Sequence, residues 1–261
     1  MRSMAPERCY VYGVIDRAEI PAVDAPNGID DAPITTLEHG PVAAVCSRLG
    51  DERVRPSRAH LSAHERVVES VADRITIVPL QFGVVWPTEQ AVVDQLLAPR
   101  TDMLAQVVAD LGGKREHRVK VTYRGDTALR EAVAANPDIR RLQQFIRKRG
   151  IAASYGARIE LGELTVAALD RIRADDVKTI TRRLSPYAAA AVLLPHRRDD
   201  VAVHAGFLVE EKRRRRFDRA VDAIANDHQH RMSFGVVGPL APWDFVGEAS
   251  AQVAPTGPRR G

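Results

Sequence analysis

Two histidines, His60 and His64, have the most suggestive spacing for chemistry in the chain. They are four residues apart in a stretch with helical periodicity, so both side chains would face the same side of a helix, as a pair of metal ligands does. The chain has eight histidines, but they are scattered, and no third ligand can be assigned to this pair. We therefore interpret both as histidines whose hydrogen bonds are satisfied within the fold, and we expect no bound metal.

A run of basic residues, KRRRR at positions 212–216, is the sharpest run of charge in the sequence. Such a run can bind phosphate groups or anionic lipid. It also stands at the predicted start of a helix, where positive charge is unfavourable because the helix dipole is positive at that end. Glu210 and Glu211 directly precede the run. A solvated surface, with some of the charges paired to these two carboxylates, is therefore the better interpretation.

Motifs of the common enzyme and cofactor sites do not occur in the sequence. There is no P-loop, no G-x-G-x-x-G after a predicted strand, no H-E-x-x-H, no C-x-x-C and no G-x-S-x-G. The two cysteines, Cys9 and Cys46, both lie in apolar, strand-like runs, which favours buried reduced thiols over a disulfide or a metal site. We expect no catalytic residues, no cofactor and no enzymatic activity.

Charge and hydropathy argue against several kinds of partner. The 261 residues include 38 basic and 34 acidic side chains, a balance that is not a strong nucleic-acid signature. An RNA-recognition fold would also need exposed aromatic residues on its central strands, where only Tyr123 qualifies, because Phe207 lies on the alternating core face. No signal peptide is visible, and no apolar run approaches the ~18 residues of a membrane-spanning helix. We expect a soluble, cytoplasmic protein that binds neither nucleic acid nor membranes.

The stretch 75–92, ITIVPLQFGVVWPTEQAV, is the centre of the first half of the chain. Residues 75–78 form a β-branched run that is typical of a strand. Pro79 cannot donate a hydrogen bond to a sheet, so the strand ends there, bulges or lies at an edge. Thr88 is placed to cap a helix that begins at Glu89, whose carboxylate suits the positive end of the helix dipole. The aromatic residues between strand and helix are candidate interaction residues: Phe82 and Trp86.

The segments around this stretch complete an N-terminal α+β domain over residues 1–112. Apolar and β-branched runs predict three strands at 9–15, 33–37 and 42–46, before a helix that starts at Pro56-Ser57. A strand, a helix to about residue 98 and a further helix over 103–111 follow. Gly112-Gly113 then marks the predicted domain boundary.

A C-terminal α+β domain is predicted over residues 113–238. Its predicted strands cover 119–123, 187–194, 201–209 and 232–236, and its predicted helices cover 127–135, 138–149, 157–184 and 217–228. That order is the ferredoxin-like split βαβ arrangement with extra helices after the first strand. Strand 187–194, YAAAAVLL, would lie at the sheet edge although it is apolar at every position. We therefore expect it to be covered on both faces, with another domain or a partner over its outer face.

The last residues, 239–261, form a predicted tail in which prolines keep the chain extended and non-helical. The tail nevertheless carries Leu240, Trp243 and Phe245, which would promote aggregation if they were free in solvent. We expect them to lie in a groove near the domain junction, as a clasp that fixes the orientation of the two domains. In the alternative interpretation, the groove belongs to a binding site and the tail competes for it.

The order of several short motifs is similar to that of one protein family. The motifs are YVYGV at 10–14, GPVAAV at 40–45, AHERV at 63–67, VPLQFGVV at 78–85, VKV at 119–121 and GPLAPWDFV at 238–246. Together they resemble the gas vesicle protein family GvpF/GvpL over residues 9–246. Gln81 stands where the family often has Arg, and Trp243-Asp244 stand where it often has Tyr-Ser.

This resemblance implies a fold and a function. Family members have an N-terminal domain of modified ferredoxin-like type and a C-terminal α+β domain. They are accessory proteins in the assembly of gas vesicles, the hollow protein shells that give cells buoyancy. The resemblance implies that the chain contacts the major shell protein GvpA and other accessory Gvp proteins. It further implies that the chain is located at the gas vesicle and is not an enzyme.

Two other classes of function stay open at this point. One is a small-molecule- or nucleic-acid-binding regulator built on paired ferredoxin-like domains, which would retain a ligand or bind RNA with a steep salt dependence. The other is a hydrolase whose catalytic cluster the motifs do not reveal, and which would lose turnover when that cluster is mutated. Co-purification with the shell protein would favour the assembly factor over both.

Overall fold

The computed structural model describes residues 8–50, 57–149 and 155–247 of the chain. The fold is mixed α+β, with two antiparallel sheets, as the sequence predicts. The chain divides into two compact units, one made of residues 1–116 and 238–261 and the other of residues 117–237. These divisions fall inside two strands, whereas the sequence pattern places the boundary at Gly112-Gly113. The described part of the predicted tail, residues 239–247, belongs to the first unit.

The first unit contains a five-stranded sheet. Its strands are β1 (Arg8–Asp16), β2 (Ile34–His39), β3 (Val42–Leu49), β4 (Ile77–Pro79) and β5 (Val85–Trp86). The order is β2-β3-β1-β4, and β5 pairs with β1 beside β4. Pro79 therefore ends a strand that pairs with the rest of the sheet on one side, which a residue without an N–H tolerates. Cys9 and Cys46 are free and buried in this sheet.

Three helices accompany this sheet: α1 (Arg58–Ala72), α2 (Glu89–Val92) and α3 (Thr101–Leu111). Ser57 caps α1, since its hydroxyl accepts a hydrogen bond from the His60 N–H at 3.1 Å. Thr88 caps α2 in the same way, as predicted. The chain continues from α2 through a π-helix, Val93–Leu97, and a 3-10 turn to α3. The predicted start at Pro56 lies outside the described residues.

The second unit contains most of a four-stranded sheet and its helices. The elements are β6 (Lys114–Tyr123), α4 (Thr127–Ala135), α5 (Pro137–Arg149), α6 (Tyr155–Leu184), β7 (Ala190–Leu193), β8 (Val201–Glu210), α7 (Arg214–Asp227) and β9 (Met232–Leu240). The strand order is β7-β8-β6-β9, so β7 lies at an edge as predicted. Phe207 and Phe217 meet in its core with ring centroids 5.4 Å apart.

The prediction that strand 187–194 is covered on both faces is wrong within this chain, whereas cover of the strand by a partner stays a prediction. Pro186 and Tyr187 lie in a 3-10 turn, and the strand itself is shorter, Ala190–Leu193. Three of its four residues are exposed, and Leu193 keeps 56% of its surface accessible. An unbroken apolar run therefore does not indicate burial here, because half of its members are alanines, which expose little apolar surface each.

Candidate functional site: the docked C-terminal segment

A buried histidine, His64 of α1, joins three parts of the first unit. Its Nε2 lies 3.1 Å from the Leu80 carbonyl oxygen, and its Nδ1 lies 2.9 Å from the Tyr10 hydroxyl. A carbonyl only accepts hydrogen bonds, so Nε2 carries the proton and the Tyr10 hydroxyl donates to Nδ1. The Tyr10 oxygen in turn accepts from the Gly83 N–H at 3.0 Å. The arch between β4 and β5 is thereby tied to both α1 and β1.

The environment of His64 keeps its ring neutral. Burial lowers the pKa of His64 to about 4, although the hydrogen bond to the Leu80 carbonyl opposes the shift. Burial likewise raises the pKa of Tyr10 above its ordinary range. His60, the other member of the sequence pair, bonds to Asp30 at 2.9 Å. Neither histidine takes part in a possible metal group, and the described residues contain no cluster of three or more metal-ligating side chains.

Aromatic rings surround His64. The centroids of Phe82 and Trp243 lie 5.8 and 5.6 Å from that of His64, and Tyr12 stacks on it at 5.6 Å. The structure thus brings together two of the candidate interaction residues, Phe82 and Trp243. Trp86 lies apart from them in β5, opposite Cys9, where it is 1% exposed and its indole N–H has no acceptor among the described residues.

The C-terminal segment, residues 239–246, lies against α1 and the first residues of β6. Leu240 ends β9, so part of the predicted tail is strand. Trp243–Phe245 form one 3-10 turn, which corrects the prediction of a fully extended tail. The turn closes through bonds from the Trp243 and Phe245 N–H groups to the Ala241 and Pro242 carbonyls. The rest of the tail, 248–261, lies outside the described residues.

Glu69 of α1 binds the C-terminal segment directly. One carboxylate oxygen accepts a hydrogen bond from the Trp243 indole N–H at 2.8 Å. The other accepts from the Ala241 backbone N–H, also at 2.8 Å. Bonds to a charged acceptor are stronger than those between neutral groups. One side chain therefore fixes both the backbone of the segment and its largest aromatic ring.

Arg115, at the start of β6, bridges the segment and the end of α1. Its guanidinium donates to the Leu240 carbonyl at 3.0 Å and to the Ala72 carbonyl at 2.7 Å. It also pairs with Glu69 and with Asp73. The Ala72 carbonyl is one of the free acceptors at a helix C-terminus, where a cation is favoured. Arg115 is only 13% exposed, so these bonds are well shielded from water.

Glu116 completes the contacts of the segment. Its side chain is fully buried, and its carboxylate accepts from the Asp244 N–H at 2.9 Å. Ala241 and Val246 are buried, while Leu240, Trp243 and Phe245 are half-buried. The segment is thus held by three charged side chains as well as by its apolar residues. The sequence gives little sign of these three: Glu69, Arg115 and Glu116.

A second concave region lies within the second unit, between α4 and α6. This cleft has a volume of about 540 Å3. Its apolar lining comes from Ala128, Leu129, Val166 and Leu169. Its acidic lining comes from Asp126, Asp170, Asp199 and Asp200. Tyr123 and Arg173 also line it, and the Tyr123 hydroxyl donates to Asp176 at 2.7 Å.

The basic run at 212–216 is partly neutralised, as expected. Lys212 and Arg213 both pair with Glu210, and Arg214 pairs with Glu211 and Asp218. The run spans a 3-10 turn and the first residues of α7. Among the described residues, these cations pair with neighbouring carboxylates, which does not favour a phosphate-binding site.

The comparisons with known proteins agree with the resemblance. Residues 8–247 match the family described as gas vesicle synthesis protein GvpL/GvpF. The chain belongs to the GvpL/GvpF family. Gas vesicle protein F of a Streptomyces species is 30% identical over 91% of this chain and 98% of that protein. Gas vesicle protein F of Microcystis aeruginosa is 26% identical over 91% of this chain and 97% of its own length.

Solved structures of GvpF show the same fold as this family member. The crystal structure of GvpF from an Anabaena species superposes with a TM-score of 0.81 at 25% identity, over 92% of this chain and 98% of that one. GvpF from Microcystis aeruginosa gives a TM-score of 0.75 at 25% identity over the same shares of the two chains. The likeness covers both units of this GvpL/GvpF chain.

Proposed function

We propose that this chain is an accessory protein of gas vesicle assembly, which acts by binding the major shell protein GvpA and other accessory gas vesicle proteins. The observation that carries this proposal is the family match over residues 8–247, which includes both units. The relatives that span almost the same length are named gas vesicle protein F. The site of action would be the gas vesicle and the surrounding cytoplasm.

The surroundings of the potentially reactive side chains support binding rather than catalysis as the function. His64 and Tyr10 are buried and bonded to each other and to the backbone. No helix in the described part of the chain is long and apolar enough to cross a membrane. Large apolar side chains are instead exposed on the second unit, among them Val166 and Leu193. Exposed apolar side chains suit contact with another protein.

The C-terminal segment, in this proposal, is a structural clasp. Trp243, Phe245 and Leu240 fasten the segment, and Phe82 supports it through the shared contact with His64. Trp86 is buried in β5 opposite Cys9 and takes no part in this contact. In the alternative, the segment competes with the shell protein for this groove. Weakening the segment would then tighten the binding of the shell protein, whereas weakening a clasp lowers stability and does not tighten binding.

The proposed function is tested by co-expression of the tagged chain with the untagged shell protein. We expect the shell protein to co-purify at a fixed ratio after a high-salt wash, because apolar contacts persist when charges are screened. The matched control is the same tag on an unrelated α+β protein of similar size. Recovery of the shell protein at the level of this control would contradict the proposal.

A further inference from the structure

The cleft between α4 and α6 has two properties that fit the docking of another polypeptide. Leu129 on α4 and Val166 on α6 line it and remain 42% and 60% exposed. They come from different helices and line the same cleft, so both of its walls present apolar surface. Covering the part of each side chain that is still exposed removes apolar surface from water, which favours binding. An occupant that covers both therefore gains a useful part of its affinity there.

The charge of the cleft indicates the chemistry of the occupant. Asp126, Asp170 and Asp200 are paired with arginines, namely Arg130, Arg173 and Arg198. The carboxylate of Asp199 has no ion-pair partner among the described residues, although its backbone carbonyl accepts from Arg173. One carboxylate is therefore free to pair with a cation from outside. This acidic lining contrasts with the net charge of the chain, +4.

We propose that this cleft is a docking site for a segment of another gas vesicle protein, one that presents two apolar side chains and an adjacent Arg or Lys. The apolar pair packs between Leu129 and Val166, and the basic group reaches Asp199. The inference rests on the proposed function for the identity of the partner, and it adds the surface and the chemistry of recognition. The groove on α1 offers no such surface, because the C-terminal segment already fills it.

The test compares single variants of the full chain. Val166→Glu places a carboxylate at the apolar wall, and Asp199→Lys reverses the free charge. Ile159→Glu is the matched control, since Ile159 is a similarly exposed aliphatic residue on the same helix, 48% accessible, and does not line the cleft. The shell protein and each accessory protein of the vesicle are titrated singly against the wild-type chain and against each variant.

We expect one partner to lose affinity by about tenfold or more with Val166→Glu, and to be unaffected by Ile159→Glu. Asp199→Lys should weaken the same partner at low salt, with a difference that shrinks at high salt because the charges are screened. Equal binding by wild type and Val166→Glu would overturn the inference while leaving the proposed function intact. So would an effect of Val166→Glu on self-association alone, which would show that a second copy covers the cleft. No binding of any vesicle protein to the wild type would refute the proposed function itself.

Discussion

The groove on α1 and the cleft between α4 and α6 are both concave surfaces built on a helix, but the described residues fill only the groove. The C-terminal segment fills the first, and Glu69, Arg115 and Glu116 each bond to its backbone or to Trp243. The second keeps Leu129 and Val166 exposed. The difference separates a surface that stabilises the fold from one that can receive a partner.

A segment of the same chain has an advantage over any partner at the first groove. Because it is covalently linked, its effective concentration at the groove far exceeds the concentration of a free protein. A competing partner would also have to replace the two bonds that Glu69 makes to the segment. At the cleft of the second unit, none of the segments that the structure describes covers the wall formed by Leu129 and Val166. We therefore expect mutations in the groove to change stability and mutations in the cleft to change binding.

The largest expected effect is that of Glu69→Ala. The variant leaves the Trp243 and Ala241 N–H groups without their acceptor and removes a partner of the shielded Arg115. The free energy of unfolding should fall by about 3 kcal/mol, as when one member of a buried ion pair is removed. Tryptophan fluorescence during urea unfolding can follow this, since both tryptophans lie in the first unit. Glu65→Ala, at an exposed site of the same helix, is the control, and an equal midpoint for the two variants would contradict the account.

Acidification should weaken the first unit through His64. Its pKa is about 4 in the folded chain and about 6.5 when unfolded, so the unfolded state binds more protons between these values. The free energy of unfolding should therefore fall as the pH is lowered from about 6.5 to 4, by up to about 3 kcal/mol. A His64→Gln variant cannot titrate there and should show a flatter dependence. Parallel pH curves for the two proteins would rule out this role of His64.

Trp243→Ala should have a smaller effect. The ring is half-buried against His64 and donates to Glu69. The loss of its apolar contacts and its hydrogen bond should lower the free energy of unfolding by about 2 kcal/mol. Trp243→Phe keeps a ring but removes the indole N–H, so it should recover part of the loss. If thermal melting, followed through the remaining Trp86, is unchanged in Trp243→Ala, the segment is not a clasp.

The smallest effect on stability is expected in the second unit, at Tyr123→Phe. The Tyr123 hydroxyl donates to Asp176, which also binds Arg231 through both carboxylate oxygens. Asp176 stays paired when the hydroxyl is removed, so the cost should be about 1 kcal/mol. Tyr155→Phe, at a tyrosine that is 75% exposed, should cost nothing. A larger fall in the free energy of unfolding for Tyr123→Phe than for Trp243→Ala would contradict the expectation that the groove on α1 contributes more to stability than this part of the second unit.

Local signals in the sequence predicted the elements well. Thr88 as a cap before Glu89 and the strand at residues 9–15 are properties of a few adjacent residues, and the structure shows both. The edge position of β7 followed from topology. The exposure of β7 could not be predicted, because the sequence pattern shows which residues are apolar and not whether other elements cover them.

The contacts of the C-terminal segment could not be predicted in the same way. Trp243 and Glu69 are 174 residues apart, and no local pattern links them. Glu116 lies in a strand with alternating charges, KREHRVK, where a solvent-facing carboxylate is the ordinary expectation, yet it is fully buried. The apolar residues of the segment were the only signal in the sequence, and they indicated that the segment lies in a groove without showing which residues form it. The charged partners that define the groove come from tertiary packing.

The most direct test of the account is the affinity of the Trp243→Ala variant for the vesicle protein that binds the wild-type chain. Titration calorimetry below the melting temperature of the variant gives this value. In our proposal the groove is structural and the cleft receives the partner, so we predict a dissociation constant within about twofold of the wild type. Clearly tighter binding by the variant would show that the segment competes with the partner, and would contradict the account.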